Sequence, residues 1–501
     1  MAEGKVYLIG AGPGDPGLIT VKGLKCLKEA DVVLYDHLVH RRLVQDAREG
    51  AESIYVGKEA GKHTLPQSTI NKLLIARAKT GKVVARLKGG DPLLFGRGGE
   101  EALAMAKSGV KFEFVPGVTA ATAVPAYAGI PVTHRDFTST IAFVTGHESP
   151  SKGNSSIQWS KIATGIGTLI FFMGVKNLKS IAETLIQNGR DENTPTAVIQ
   201  WGTLPGQRVV TGNLSNIVQR AERENIKPPA LIVVGEVVKL RRKLNWFESK
   251  PLFGKKIVVT RSRAQASKLV ELLEENGAET IEIPTIAIKN PEDYDPLDKA
   301  VREIGTFSWI IFTSANGVTA FFTRYFLLKK DIRDLYGVKL AAIGPATKNE
   351  IESFHLCVDF QPTEYVAECF TKEFLQQHDV REKNVLLVCS DKARDYIETE
   401  LTRHGAQFTA VVGYRTVSSE REVDDITTLF QTKKVDLVTF TSSSTVKNFF
   451  SLYKGEKNFE IASIGPITSK TATEMGFAPD IESDEHTIPG LVSAITNYYK
   501  G

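Results

Sequence analysis

The sequence predicts an α/β protein with more than one domain, and three observations support this. The chain has 501 residues, more than a single hydrophobic core usually accommodates. In its first half, short apolar runs alternate with amphipathic segments, which is typical of alternating strands and helices. In its second half, one sequence pattern occurs twice, which indicates a duplicated lobe.

The predicted strands of the first half are rich in Val, Ile and Leu and lack strict alternation. This pattern is expected of strands that are covered on both faces in largely parallel sheets. A helix is predicted over 18–30. The predicted strands are 5–9, 31–35, 83–87, 112–115, 141–145, 169–173, 195–200 and 230–234.

A charged segment at 241–256 contains a Pro and a Gly and separates two apolar strands. We interpret it as a linker, with Trp246 and Phe247 anchoring it against a domain. Beyond it, Gly277 matches Gly405 within the repeated pattern, and the segments 312–314 and 440–442 match at the same offset. The segments 343–345 and 464–466 match at a slightly shorter offset. Two similar α/β lobes are therefore predicted, with a cleft that could bind a ligand.

Composition excludes several classes of protein. The chain is 42% hydrophobic and 24% charged, as in globular proteins, and its 62 basic and 58 acidic residues do not indicate nucleic-acid binding. The four cysteines form no Cys-x-x-Cys pair and no stretch of 18 apolar residues occurs, so we expect no metal, no disulfide framework and no membrane span. Free thiols and the lack of a secretory signal favour the cytoplasm.

A glycine-rich loop at 8–15 follows a predicted strand and precedes a predicted helix. Glycines allow a ligand to approach the backbone, and the free N–H groups at a helix start favour negative groups. The loop does not fit a dinucleotide fingerprint, because Asp15 occupies the third glycine position and Pro13 stiffens the turn.

Further segments of the first half occur in one collinear order: 31–36, 57–58, 63–71, 86–92, 95–101, 116–121, 129–135, 145–147 and 228–236. Together with the glycine loop, they resemble the tetrapyrrole methylase family, specifically its uroporphyrinogen-III C-methyltransferase branch, over residues 4–240. The resemblance implies two α/β lobes with S-adenosylmethionine in the cleft between them. The residues that it places around this donor are Pro13, Gly89, Gly90, Asp91, Leu94, Thr119, Ala120, Met173 and Gly202.

The resemblance also implies roles in the chemistry. A pyrrole carbon attacks the methyl group in line, and the macrocycle then loses a proton to a base. Asp36 would be that base and Lys58 a matching acid, although Asp36 could instead cap the next segment and Lys58 could be a solvated charge. Met173 could likewise be core packing. Candidates for pairing with the substrate carboxylates are Arg86, Lys88, Arg97 and Arg135.

Short motifs of the second half occur in order at 258–261, 312–318, 342–347, 365–368, 391–394, 412–416, 440–446 and 463–468. Together they resemble uroporphyrinogen-III synthase over residues 255–500. The resemblance implies conversion of hydroxymethylbilane to uroporphyrinogen III, with loss of water, inversion of the last ring and no metal. Tyr414 would donate a hydrogen bond to the departing hydroxide, unless it only holds a lobe connection. The residues expected to bind substrate are Arg261, Thr313, Ser314, Ser442, Ser443 and Thr468.

The resemblances together predict three segments: a two-lobed methylase domain at 1–245, a linker at 246–254 and a two-lobed synthase domain at 255–501. Within the synthase, one lobe would comprise 255–289 and 415–501 and the other 290–412. Because the chain begins at the first methylase strand, we expect it to stop at precorrin-2, in either the siroheme or the cobalamin pathway. A homodimer formed through the methylase half is also expected.

Two alternatives stay open at this point. The second half could bind tetrapyrrole without catalysis. The first half could methylate a later corrinoid or ribosomal RNA, although the lack of a basic stripe argues against RNA.

Overall fold

The computed structural model describes residues 4–57, 65–147, 156–260, 263–283, 286–391, 395–418, 423–432 and 434–500. The chain forms two compact units, one comprising Met1–Ile257, Glu271–Thr280 and Ile495–Gly501 and the other Val258–Val270 and Ile281–Ala494. No helix within these described ranges is both long and apolar enough to cross a membrane.

The first half of the chain alternates strands and helices as predicted. Its strands are β1 (Lys5–Gly10), β2 (Val32–Tyr35), β3 (Glu52–Tyr55), β4 (Val83–Lys88), β5 (Lys111–Val115), β6 (Ile141–Thr145), β7 (Thr168–Phe172), β8 (Pro195–Gln200), β9 (Arg208–Asn213) and β10 (Ala230–Val234). Its α-helices are α1 (Val21–Lys28), α2 (Arg41–Gln45), α3 (Gln67–Lys79), α4 (Gly98–Lys107), α5 (Ala120–Tyr127), α6 (Trp159–Gly165), α7 (Leu178–Gln187), α8 (Ile217–Arg223) and α9 (Arg241–Leu244). Short 3-10 helices lie at Pro16–Leu18, Val175–Asn177 and Glu236–Leu240.

The first sheet has the order β3-β2-β4-β1-β5, and all its strand pairs are parallel. Its strands are covered on both faces: Val6 and Leu8 of β1 belong to one buried cluster, whereas Ile9 belongs to another. The prediction of parallel, doubly covered strands is therefore confirmed here. The carboxyl ends of parallel strands meet at one edge, where ligands usually bind.

The second sheet has the order β6-β7-β10-β8-β9, and here the prediction of largely parallel strands is wrong. Only β6 and β7 pair in parallel, whereas β10 pairs antiparallel with β7 and β8, and β9 pairs antiparallel with β8. All six residues of β8 are buried, so the strand lacks the alternating pattern that reveals many antiparallel strands. The sequence does not predict strands β3 and β9, because both are edge strands that contain several polar residues.

The second half contains two more sheets. Its strands are β11 (Lys256–Val259), β12 (Glu279–Glu282), β13 (Ile286–Lys289), β14 (Trp309–Phe312), β15 (Lys339–Ala342), β16 (Asn384–Ser390), β17 (Gln407–Ser418), β18 (Leu437–Phe440), β19 (Glu460–Ser463) and β20 (Ile481–Glu482). Its α-helices are α10 (Arg263–Glu275), α11 (Asp295–Arg302), α12 (Ala315–Leu327), α13 (Pro345–Ser353), α14 (Ala367–Gln377), α15 (Tyr396–Arg403), α16 (Val423–Thr432), α17 (Ser443–Leu452), α18 (Pro466–Glu474) and α19 (Ile488–Lys500). Two 3-10 helices lie at Ile304–Thr306 and Ile332–Leu335.

The sheet orders explain the repeated sequence pattern. One sheet runs β12-β11-β18-β19-β20 and the other β13-β17-β16-β14-β15. The strands that the sequence repeat equates are β11 with β16, β18 with β14 and β19 with β15, and they follow the same order in the two sheets. The expectation of two similar lobes is therefore confirmed.

The chain crosses between these sheets at slightly different residues than predicted. The predicted lobe boundary at 289 places β13 with β11, but β13 pairs antiparallel with β17 and belongs to the other sheet. β17 likewise continues to Ser418, beyond the expected boundary at 412. The repeat could not reveal this, because β13 is an edge strand added to only one of the two copies.

Candidate functional site

Three loops at the carboxyl edge of the first sheet contact one another through their backbones. A Cβ atom on Gly10 would lie only 2.4 Å from the Cα of Gly117 and 2.7 Å from the carbonyl oxygen of Gly90. The N–H of Gly90 donates to the carbonyl of Gly12 at 2.7 Å, and the N–H of Gly12 donates back at 3.3 Å. Glycine is therefore required where the loops after β1, β4 and β5 meet.

A cavity of about 630 Å³ lies beside this meeting point, between the two sheets of the first half. All nine residues that the sequence placed around the methyl donor line it: Pro13, Gly89, Gly90, Asp91, Leu94, Thr119, Ala120, Met173 and Gly202. Sequence reasoning missed further lining residues, among them Phe95, Phe172, Trp201 and Leu231. Their apolar side chains give no signal that distinguishes a cavity wall from ordinary core packing.

Asp91 holds the loops of this cavity together. One carboxylate oxygen accepts hydrogen bonds from the N–H groups of Leu93 at 2.8 Å and Leu94 at 3.2 Å, and the other accepts from Gly117 at 3.0 Å. Because both oxygens already have backbone donors, the geometry favours a structural contribution of Asp91 to the cavity.

Met173 does not belong to the hydrophobic core. It is 54% exposed, lines the cavity and has a φ of +54°, which is unusual for a residue other than glycine. The core-packing alternative for Met173 is therefore wrong. Thr119 is the N-cap of α5, and its hydroxyl accepts from the N–H of Ala121 at 3.3 Å.

Asp36 follows β2 and its side chain is partly exposed. One carboxylate oxygen accepts from the N–H of Leu38 at 3.2 Å and so stabilises a turn, whereas the N-cap of the next helix, α2, is His40 and not Asp36. The other oxygen lies 3.6 Å from the Nη2 atom of Arg86. Leu38 itself lines the cavity. Lys58, the predicted acid, lies outside the described residues.

Arg86 and Lys88 are sequence candidates for binding substrate carboxylates, but the structure buries both, at 3% and 4% exposure. The fully buried Glu101 pairs with them, at 3.2 Å from Arg86 Nε and 3.1 Å from Lys88 Nζ. Burial lowers the pKa of Lys88, and the neighbouring Arg86 lowers it further. The positive charges of Arg86 and Lys88 are therefore already paired with a carboxylate inside the protein. The sequence missed this, because Glu101 lies in a motif that otherwise suggests a ligand loop.

The other two basic candidates lie at the surface. Arg97 forms a two-point ion pair with Glu100, at 2.8 and 2.9 Å, and Arg135 is exposed. Within the described residues, no group of three or more His, Cys, Asp or Glu side chains could hold a metal ion.

In the second half, Tyr414 and Ser314 form a hydrogen-bonded hydroxyl pair, with 2.8 Å between the oxygens. Tyr414 is 8% exposed and lies within β17, opposite Ser390 at the carboxyl end of β16. Ser314 is the N-cap of α12, and its hydroxyl also accepts from the N–H of Gly317 at 3.2 Å. The structure thus joins the predicted hydroxide-binding residue to one predicted substrate residue, at the carboxyl ends of parallel strands.

The remaining predicted substrate residues are more dispersed. Thr313 follows β14, whereas Ser442 caps α17 and Ser443 accepts from the hydroxyl of Thr471 at 2.7 Å. Arg261 lies outside the described residues.

The structure contradicts the assignment of Thr468 as a substrate-binding residue, because Thr468 is only 4% exposed and offers little surface to a ligand. Its repeat counterpart Thr347 is equally buried, at 4%. A packing position shared by the two lobes therefore explains both threonines.

Comparisons with known proteins divide the chain in the same way. Residues 5–218 match the family model of the tetrapyrrole (corrin/porphyrin) methylases, and residues 267–493 match that of uroporphyrinogen-III synthase HemD. The porphyrin biosynthesis protein HemD of Ruminiclostridium josui is 37% identical over 91% of this chain and 90% of its own length. A uroporphyrinogen-III C-methyltransferase of Bacillus subtilis is 45% identical over 70% of this chain and 72% of its own length.

Among solved structures, the chain is similar to the uroporphyrin III C-methyltransferase of Thermus thermophilus. It is 40% identical and covers 47% of this chain and 94% of its own, with a TM-score of 0.41.

Proposed function

The chain belongs to the proteins in which a tetrapyrrole methylase is joined to a uroporphyrinogen-III synthase domain, and from this premise we propose that it catalyses two successive reactions. The second half closes hydroxymethylbilane to uroporphyrinogen III. The first half then transfers two methyl groups from S-adenosylmethionine to that product, giving precorrin-2. The domain boundaries proposed with it are 1–245 and 255–501.

The cavity of the first half is the observation that carries the methylase proposal. Its glycine edge at Gly89 and Gly90 exposes backbone to a ligand, and its opposite wall is apolar, from Phe172, Ile199 and Leu231. This combination suits a nucleoside joined to an amino acid, because the flat base needs an apolar wall and the polar groups need backbone partners. When bound there, S-adenosylmethionine supplies an electrophilic methyl group.

The residues of this chain position the methyl donor, and one of them accepts a proton. The cavity walls orient the donor so that a pyrrole carbon can approach the methyl group in line. The attacked carbon already bears a side chain and has no hydrogen, so the methylated, positively charged macrocycle instead loses a proton from a ring nitrogen or a neighbouring bridge carbon. Asp36 accepts that proton with the oxygen that does not bind the N–H of Leu38. Arg86, at 3.6 Å, keeps that oxygen oriented. Lys58 is proposed as the matching acid.

The methylase proposal is tested by incubating the full chain with uroporphyrinogen III and S-adenosylmethionine without oxygen. We expect a product with the mass of two added methyl groups and two equivalents of S-adenosylhomocysteine. An unmodified tetrapyrrole would refute the proposal. A product with one methyl group would refute precorrin-2 as the end point.

The hydroxyl pair of Tyr414 and Ser314 supports the synthase proposal. The carbon–oxygen bond of the hydroxymethyl group breaks, and Tyr414 donates a hydrogen bond to the departing hydroxide, which leaves as water once it has gained a proton. The resulting cationic carbon is attacked by a substituted carbon of the last ring, and rearrangement inverts that ring before closure. Thr313, Ser442, Ser443 and Arg261 are proposed to hold the acidic side chains.

The synthase proposal is tested with hydroxymethylbilane and no methyl donor. Spontaneous closure gives the type I isomer, so we expect an excess of type III that grows with protein concentration. If only type I forms while tetrapyrrole still binds, the second half is a binding module. We also propose a homodimer through the first half, which sedimentation of the full chain tests.

A further inference from the structure

The segment after α9 packs tightly against the first half, although the sequence suggested a linker. The indole Nε1 of Trp246 donates to the carbonyl of Ala126 at 3.0 Å, and Phe247 is only 5% exposed. Both rings contact the ring of Tyr127, with centroids 5.1 and 4.8 Å apart. The anchoring expected of Trp246 and Phe247 is therefore confirmed.

Glu248 is the next residue, and both of its carboxylate oxygens bind groups of the first half. One accepts from Gln207 Nε2 at 2.9 Å, and the other accepts from Arg241 Nη2 at 2.5 Å. The side chains of Glu248 and Arg241 are only 17% and 15% exposed. A partly buried, two-point carboxylate of this kind fixes its neighbours more firmly than a surface ion pair does.

Gln207 connects Glu248 to the loop 201–204, which lines the cavity. It is 4% exposed, and its side-chain oxygen accepts from the N–H of Thr203 at 3.0 Å. The hydroxyl of Thr203 in turn accepts from the N–H of Asp15 at 3.0 Å. The carboxylate of Asp15 accepts from the hydroxyl of Tyr127 at 2.6 Å. Since Tyr127 packs on Trp246 and Phe247, the contacts form a closed ring that begins and ends in the segment 246–248.

This ring of contacts includes two loops that form part of the wall of the methyl-donor cavity. Gly202 and Leu204 flank Thr203, and Pro13 and Gly14 precede Asp15, and all four residues line the cavity. The loop is also conformationally demanding, because Trp201 and Thr203 have φ values of +48° and +71°. Residues other than glycine keep such angles only where the surrounding structure holds them.

We propose that Glu248 is a positioning residue of the methyl-donor site. It holds the loop 201–204 through Gln207, so the segment 246–248 is part of the methylase and not a passive connection. The inference rests on the proposed function, because it takes the cavity to be the donor site. Glu248 does not line the cavity, and it acts only through the loop.

The test measures the affinity of the full chain for S-adenosylhomocysteine by calorimetry. Glu248→Ala removes both contacts and is expected to weaken binding about tenfold. Glu248→Gln keeps an acceptor for Gln207 and is expected to retain most of the affinity. The matched control is Glu236→Ala, because Glu236 lies nearby in sequence and forms an ion pair with Lys239 at the surface. Methylation kinetics should show a raised KM for the donor and an unchanged KM for uroporphyrinogen III.

Gln207→Ala keeps the test decisive if Glu248→Ala fails to fold, because it removes the link to the loop and the contact with the carbonyl of Tyr127 but keeps the pair of Glu248 with Arg241. Wild-type affinity in either the folded Glu248→Ala or the Gln207→Ala variant would overturn the inference. Equal losses in Glu248→Ala and Glu236→Ala would also overturn it. Failure of the wild-type chain to bind S-adenosylhomocysteine would instead overturn the proposed function.

Discussion

The two candidate sites of this chain are built from different parts of the polypeptide. The candidate donor cavity of the first half depends on backbone at one edge, where loops after β1, β4 and β5 approach so closely that glycine is required. The candidate site of the second half instead depends on hydroxyl side chains: Tyr414 binds Ser314, which also caps α12, whereas Ser442 caps α17 and Thr468 is buried. Backbone sites impose strict sequence requirements, whereas a hydroxyl serves capping, packing and binding equally well.

This difference predicts that a substitution in one half leaves the activity of the other half intact. The largest effect of a single substitution is expected at Glu101. Glu101→Ala leaves the buried Arg86 and Lys88 without their shared partner and should lower the free energy of unfolding of the first half by about 3–5 kcal/mol. Thermal unfolding and methylase activity measure this loss. The control is Glu100→Ala, which removes only an exposed ion pair and should cost less than about 1 kcal/mol. Equal stability of the two variants would contradict a buried ionic cluster.

A second variant tests the backbone origin of the methylase site. Gly10→Ala places a Cβ atom 2.4 Å from Gly117, so the loops must separate. We expect kcat/KM for methylation to fall at least about hundredfold, or about 2.7 kcal/mol. Type III formation by the second half should be unchanged. Gly99→Ala is the matched control, because nothing lies within 4 Å of the position that its Cβ atom would take. Full methylase activity in Gly10→Ala would break the comparison.

The third variant tests the hydroxyl site. Tyr414→Phe removes the proposed donor to the leaving hydroxide and should slow type III formation about tenfold to hundredfold while methylation of supplied uroporphyrinogen III continues. Ser314→Ala should slow it less, although losing the cap of α12 should cost about 1 kcal/mol of stability. The measurement is the ratio of type III to type I product over time. A larger effect of Ser314→Ala than of Tyr414→Phe would reverse the proposed roles.

The smallest effect is expected at Thr468. Thr468→Val keeps the shape of this buried side chain and removes only its hydroxyl, so the rate of type III formation should change less than about twofold if that hydroxyl does not bind substrate. Steady-state kinetics with hydroxymethylbilane measures this. A raised KM with unchanged thermal stability would return Thr468 to the substrate site and weaken the distinction between binding and packing hydroxyls.

Sequence reasoning succeeded where a pattern has one physical cause. The nine residues that the family resemblance placed around the methyl donor line one cavity, and the repeat gave matching strand orders in the two sheets of the second half.

Sequence reasoning failed where the same sequence pattern can arise from two different structures. Fully buried strands look alike in parallel and antiparallel sheets, so the arrangement of β8 and β10 was missed. Arginine and lysine in a ligand motif can pair with a buried glutamate as well as with a substrate, as Arg86 and Lys88 do. A Trp-Phe pair in a charged segment does not reveal that Glu248 beside it contacts a cavity loop.

The most direct test of two linked activities is one reaction of the full chain with hydroxymethylbilane and S-adenosylmethionine without oxygen, followed by absorbance and mass analysis. We predict a dimethylated type III product from the wild-type chain, and uroporphyrinogen III without added methyl groups from Gly10→Ala. If the wild-type chain methylates supplied uroporphyrinogen III but converts hydroxymethylbilane only to the type I isomer, the methylase stands and the catalytic role of the second half is contradicted.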